Sequence, residues 1–186
     1  MHMPLLPHPS TPDDLLGSIT VEVDSPTAEL LVLYYRISGD IDRLKLPPQA
    51  ASTFQDELWR HTCLEAFIAL PDSDAYFEFN FSPSSQWAVY HFESYREGMT
   101  PLHPDPPPRA VFRRREGELA ADIDIHLDAI PGLTRDVLKN RDLRLAVAAV
   151  MENDQGHISY WALAHPPGKP DFHHRDGFAL AMGGSS

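Results

Sequence analysis

Residues 58–99, LWRHTCLEAFIALPDSDAYFEFNFSPSSQWAVYHFESYREGM, decide the fold. Side chains i, i+2 and i+4 of a strand share a face, so YFEFNFS sets Phe77, Phe79 and Phe81 on one side and Tyr76, Glu78, Asn80 and Ser82 on the other. One face reads as core and the other as a site, and the whole stretch reads as two or three sheet strands. The hairpin within it turns on the length of one loop. With four residues at 71–74, Glu65 pairs with Asn80 and Phe67 with Glu78, which gathers the carboxylates and the amide on one face. Five residues would flip the parity and put Glu65 among the phenylalanines, where an unpartnered carboxyl is costly. The first register is therefore expected; in the second, Glu65 needs a buried partner, Arg96 or His61.

Outward from this stretch the chain continues to read as sheet. Residues 1–17 are rich in Pro, Ser and Thr and are expected to form an irregular lead-in, and SITVEVD then alternates Ile19, Val21 and Val23 with polar residues as a half-buried strand. AELLVLYYRISG reads as a strand covered on both faces, and DIDRLKLPPQAASTFQDE as a loop that edges the site. The five prolines of TPLHPDPPPRA deny ladder hydrogen bonds and make a stiff connector or lid. Two hairpins follow, one turning at Glu116 and Gly117, the other joining LRLAVAAVME to HISYWAL, with one short helical turn between them in AIPGLTRDVLKNRD. FALAM is a candidate closing strand, and residues 183–186 a flexible tail. About nine short strands with almost no helix predict an all-β fold, an antiparallel β-sandwich, in a single domain spanning 18–182.

Composition narrows the function. The 186 residues, 42% hydrophobic with nine Phe, six Tyr and three Trp, suit one globular domain. A net charge of −12, from 15 basic and 27 acidic residues, repels phosphate backbones and anionic lipid, so neither nucleic acid nor membrane is an expected partner. The basic run Arg113 to Arg115, with Arg109, reads as the exposed face of a strand. The N-terminus carries no secretory pattern and no stretch approaches a membrane span, which makes a cytoplasmic location the expectation. The single cysteine, Cys63, fits buried packing better than a reactive thiol. Oligomeric state is left open.

Three constellations carry chemistry. Glu65 and Glu78 can act as acid and base, although paired carboxylates on an open sheet face are commonly just solvated. Trp59, Trp87, Tyr90, Tyr95, Tyr160 and Trp161 suit sugar recognition, because the apolar face of a pyranose stacks on a ring while its hydroxyls meet polar neighbours; the bland alternative is that they fill the core. His165, Asp171, His173, His174 and Asp176 invite a metal site, or simply tie the C-terminal loop down. No phosphate-cradling GxGxxG or GxxxxGK[ST] and no GxSxG nucleophile elbow occurs.

The segments LW..TCLEAFIAL, YFEFNFSPSSQWAVYHFESYREGM and YWALAHPPGKPDFHHRDGFAL resemble the bacterial DOMON-like family, which is similar in fold to the type 9 carbohydrate-binding modules. The resemblance implies a jelly-roll-like β-sandwich with a ligand pocket, in a superfamily whose better-known branches bind sugars or haem. It marks Trp59, Glu65, Glu78, Asn80, Ser82, Trp87, Tyr90, Tyr95, Arg96, Trp161, His165, Asp171 and His173 as candidate ligand-binding residues. No cofactor is expected. Haem is the alternative, since Met99, Met151 and several histidines are present, but no spacing singles out a pair of axial ligands. The function expected is a non-catalytic module for a carbohydrate or similar polar metabolite, with Trp87 or Trp161 as stacking platform and Glu65, Glu78, Asn80 and Arg96 as hydrogen-bonding groups. The alternatives are a hydrolase or isomerase using Glu65 or Glu78 with His165 or His173, and a haem or metal protein.

Overall fold

A computed structural model describes residues 2–70, 72–140 and 143–182. Among them are twelve strands: β1 (His2–Pro7), β2 (Leu16–Thr27), β3 (Leu30–Gly39), β4 (Cys63–Ala69), β5 (Tyr76–Phe81), β6 (Trp87–Phe92), β7 (Thr100–Pro101), β8 (Arg109–Arg115), β9 (Glu118–His126), β10 (Leu143–Glu152), β11 (Ile158–Ala162) and β12 (Leu180–Met182). The one α-helix among the described residues, α1 (Arg135–Asn140), is the short helical turn expected between the two late hairpins. The strands form one antiparallel sheet in the order β7-β6-β5-β4-β10-β11-β1-β2-β3-β9-β8, and β12 lies beside the first residues of β10.

The sheet curls into a half-barrel because β1 changes partner along its length. Met3 to Leu5 pair with β2, whereas Leu6 and Pro7 pair with Ala162 and Trp161 of β11. This corrects two expectations at once. The lead-in is not wholly irregular, and the count is twelve rather than about nine. HMPLLP carries two prolines and one buried side chain, Leu5, so nothing in its own pattern announces a strand; pairing to two neighbours recruits it. The two-residue β7 is likewise recruited from the Pro-rich connector by β6.

Inside the curl lies one core, shared by Ile19 and Val21 of β2, Leu33 and Ile37 of β3, Ile123 of β9, Phe77, Phe79 and Phe81 of β5, and Val147 of β10. Tyr35 of β3 crosses this core and donates its buried hydroxyl to the Glu65 carbonyl at 2.9 Å, with the Ala148 carbonyl at 3.4 Å. Tyr35→Phe removes that link, and a loss of about 1 kcal/mol of stability is expected, measured by chemical denaturation.

The hairpin of β4 and β5 has the first of the two registers. Glu65 lies opposite Asn80 and Phe67 opposite Glu78, with Leu64, Ala66 and Ile68 facing Phe81, Phe79 and Phe77 on the inner side. Leu70 donates its backbone N–H to Ala75 at 3.4 Å just before the loop, whose first residue, Pro71, lies outside the described residues. The expected tail at 183–186 lies outside them too.

The outer face of β4, β5 and β6 is also covered. Every residue of β4 and β5 is buried. Phe67, Tyr76, Tyr90, Phe92 and Ala146 form a second apolar cluster with Phe178 of the C-terminal segment, and Leu58, Trp59 and Phe172 pack against it. Cys63 is buried.

Candidate functional site

The outer face carries a hollow. Glu65 stands between Ala148 on β10 and Asn80 on β5, and the row continues to Ala88 on β6. The short side chains of Ala148 and Ala88 leave lateral space that larger residues would fill. Above it is a cavity of about 570 Å³, floored by Glu65, Glu78 and Val150. Its walls come from three places. Trp59 stands on the 3₁₀ turn Leu58–Arg60, Arg96 and Met99 on the turn after β6, and Lys169, Phe172 and His173 on the C-terminal loop, while Phe92 and Tyr160 close the sides.

Each wall is braced. The Trp59 ring meets Tyr90 edge-on, with centroids 5.6 Å apart, and Tyr90 donates to Asp56 at 2.5 Å. Arg96 has a left-handed backbone, φ +56°, and donates its N–H to the Tyr76 hydroxyl at 3.1 Å. A non-glycine residue pays conformational strain at such an angle and holds it only where its surroundings insist. Its guanidinium donates to Asp171 at 2.8 Å, and Asp171 also accepts from the Tyr95 hydroxyl and from the His173 N–H at 3.1 Å. Burial alone would raise Asp171, but the bonds from Tyr95 and Arg96 outweigh it and hold the carboxyl below its ordinary value. This clamp joins the turn after β6 to the C-terminal loop and closes one side of the cavity.

The floor is electrostatically unusual. Glu65 and Glu78 are each 3% exposed. Asn80 donates its amide to Glu78 Oε1 at 2.7 Å and is backed by Cys63, whose Sγ lies 3.7 Å from Asn80 Oδ1. Glu65 Oε1, in contrast, is buried and has no hydrogen-bond partner among the described residues. Desolvation, then the neighbouring Glu78 charge, push Glu65 well above the ordinary carboxylate value, although Arg96 pulls the other way. Desolvation likewise pushes Glu78 up to about 7 against the lowering effect of Asn80 and Arg96. The two carboxyls therefore titrate as a pair and retain a proton at neutral pH.

His173 completes the floor. Its Nδ1 lies 2.8 Å from the Tyr76 hydroxyl, which accepts from the Arg96 N–H; with the tyrosine proton assigned to Nδ1, the ring proton sits on Nε2. Nε2 is 3.7 Å from Glu78 Oε2. Burial and the repulsion of Arg96 lower His173 to about 4, so the imidazole is neutral.

Of the thirteen candidate residues, Trp59, Glu65, Glu78, Arg96 and His173 line the cavity. Asn80, Tyr90, Tyr95 and Asp171 brace those that do. Trp87 and Trp161 lie in the inner core, where Trp161 donates to Ser159 at 3.0 Å, so neither ring faces the cavity. Ser82 holds the turn before β6 by accepting from the Ser84 N–H at 3.2 Å, and His165 meets the Leu6 carbonyl at 2.7 Å. His61, the other proposed partner for Glu65, lies 2.6 Å from Glu152 instead. Tyr160, expected in the sugar-recognising aromatic set, lines the cavity, and so do Phe92, Phe172 and Lys169, which no sequence pattern singles out. Alternation in WAVYHF carries a usable signal here, since it separates Trp87 and Val89 from Tyr90 and Phe92. Among the described residues, no three His, Cys, Asp or Glu side chains gather into a metal-binding group.

Two other hollows are less suited to a ligand. One of about 570 Å³ contains Glu152, but that carboxylate is already satisfied by Lys45 at 2.7 Å and by His61. Another, of about 320 Å³, is walled mostly by aliphatic side chains such as Leu31, Leu138 and Leu145.

The fold is similar to that of a "putative carbohydrate-binding protein" from Bacteroides uniformis, with a TM-score of 0.65 and 14% identity over 95% of this chain and 83% of that one. The likeness is one of fold. A family 9 carbohydrate-binding module from Caldicellulosiruptor kristjanssonii, solved in complex with glucose, matches at a TM-score of 0.45 and 9% identity over 81% of this chain and 69% of its own. No protein-family model and no curated protein matches the sequence. Among the described residues, no helix is long and apolar enough to cross a membrane.

Proposed function

We propose that this chain is a non-catalytic binding module, a DOMON-like sandwich akin to the type 9 carbohydrate-binding modules, that takes a carbohydrate or similar polar metabolite in the cavity above Glu65 and Glu78. The observation that carries the proposal is the buried, unpartnered Glu65 Oε1 on the floor of an aromatic-walled cavity. A buried acceptor without a donor is costly, and a ligand hydroxyl supplies the donor. Trp59 offers the ring for the apolar sugar face, fixed edge-on by Tyr90. Arg96 and His173 supply further donors at the walls. A cavity of this size matches a mono- or disaccharide, within the range usual for small-ligand sites.

Calorimetric titration against a panel of neutral mono- and disaccharides tests the reading. At least one sugar is expected to bind, and Trp59→Ala is expected to weaken it about ten-fold, the loss of one stacked ring contact. No binding by any sugar, with parent and Trp59→Ala alike, would sink the proposal. One observation favours chemistry in the same cavity: Glu78, near neutrality, lies 3.7 Å from His173. Hydrolysis or isomerisation of the bound sugar, followed by NMR, separates turnover from binding alone.

A further inference from the structure

The floor of the cavity holds two adjacent buried carboxyls, more than a neutral sugar needs. Glu65 and Glu78 are both buried there, and the cations that line the same cavity are Arg96 and Lys169. The Arg96 guanidinium is held 2.8 Å from Asp171, which shares its charge, and its pull on Glu65 and Glu78 is smaller than the effect of their burial. His173 presents an Nε2–H toward Glu78 from a neutral ring. Lys169 is exposed at the rim, where solvent and salt screen it. Other titratable neighbours, Cys63 behind Asn80, Tyr76 behind His173, Tyr35 against the Glu65 carbonyl and Tyr90 opposite Glu78, are all raised by burial, hold their protons and contribute no cation. Only one of the four carboxyl oxygens, Glu78 Oε1, accepts a strong hydrogen bond from the floor, and Glu65 Oε1 accepts none among the described residues.

We infer that the cavity selects a saccharide bearing a protonated primary amine over its neutral counterpart, the ammonium sitting against Glu65 and Glu78. The inference rests on the saccharide reading and specifies its ligand class. An ammonium has three donors and no acceptor, which suits two adjacent carboxyls, one of them unpartnered. Trp59, Tyr160 and Phe172 also line the cavity, and aromatic rings attract a cation. The charge balance is explicit. In the free protein the carboxyl pair retains a proton; when R–NH₃⁺ docks, the carboxylic acid gives that proton to solvent and leaves a carboxylate paired with the ammonium. No bond to carbon changes.

Calorimetry at about pH 6, in two buffers of different ionisation enthalpy, tests this with D-glucosamine, D-glucose, N-acetyl-D-glucosamine and cyclohexylamine. Glucosamine is expected to bind at least about ten-fold tighter than glucose, the advantage of a charge-assisted hydrogen bond. Its binding is expected to release up to about one proton. Glu65→Gln and Glu78→Gln are each expected to reduce both the preference and the proton release. Equal affinity for glucose, glucosamine and the N-acetyl sugar, or glucosamine binding without proton release, overturns the inference and leaves the saccharide reading standing. Binding of cyclohexylamine but of no sugar overturns the saccharide reading and retains selection for an amine. No binding by any of the four overturns both. The proton release is read on the parent protein, so the test does not depend on either variant folding.

Discussion

Glu65→Gln is expected to stabilise the folded protein at about pH 8, raising its denaturation midpoint above the parent's, and to flatten the loss of stability that the parent shows as pH rises. In the fold, burial and then the Glu78 charge raise Glu65 well above the ordinary carboxylate value. A carboxyl whose folded pKa is raised contributes stability that is fully present below its unfolded value and lost as pH rises through the folded one. Glu78, at about 7, has the same sign. His173 has the opposite sign: its folded value of about 4 lies below that of free imidazole, so its contribution is lost as pH falls from about 6.5 toward 4. Glu65 and Glu78 on one side, and His173 with His165, which burial also lowers, on the other, therefore oppose each other between about pH 4.5 and 7. Above about pH 7.5 histidine is largely neutral in both states, and the decline belongs to the carboxyls. Glutamine keeps the shape and removes the charge. Denaturant titrations of parent and variant at about pH 6, 7 and 8 measure the difference, in which the histidines cancel; a difference that stays flat across that range would falsify the buried-acid assignment.

Asp171→Ala is expected to destabilise the protein by about 1–3 kcal/mol and to weaken ligand binding by at least about ten-fold. The carboxylate accepts from Arg96, from Tyr95 and from the His173 backbone, and so holds the turn after β6 against the C-terminal loop. Without it Arg96 keeps its left-handed backbone but loses the anchor for its guanidinium, and two wall residues, Arg96 and His173, lose their fixed geometry. Half of the Arg96 side chain is exposed, which places the stability cost toward the lower end of that range, whereas the binding loss comes from misplaced donors and is not screened. Asp171→Asn, which keeps acceptors but no charge, should fall between parent and alanine. Denaturation midpoints and calorimetry on the same samples check both effects; binding left unchanged in Asp171→Ala would show that the clamp does not shape the cavity.

Much of the sheet is legible in the chain because strand alternation is local. The parity of Glu65 followed from the cost of burying an unpartnered carboxyl among phenylalanines, and the register has that parity. A solvated outer face satisfies that cost, yet Glu65 and Glu78 are buried there as well. The cover comes from Phe172, His173 and Phe178, roughly a hundred residues along the chain from β5, and no periodicity links segments so far apart. Which tryptophan faces a ligand depended on the same missing information. Trp87 pairs with Phe81 and Trp161 with Ala149, both inward positions, so cross-strand register rather than composition turned those rings into the core.

Sequence by itself determined an all-β antiparallel chain, the two-faced hairpin of residues 58–99, and the gathering of Glu65, Glu78 and Asn80 on one face, because each follows from side-chain period and the cost of burying charge. Tertiary structure alone decided that β1 joins both halves of the curled sheet, that Trp59 rather than Trp87 or Trp161 walls the cavity, and that the carboxyl pair is buried with one oxygen unpartnered. Those features arise where distant segments meet, and contact between distant segments is set by the packing of the whole sheet rather than by any local pattern.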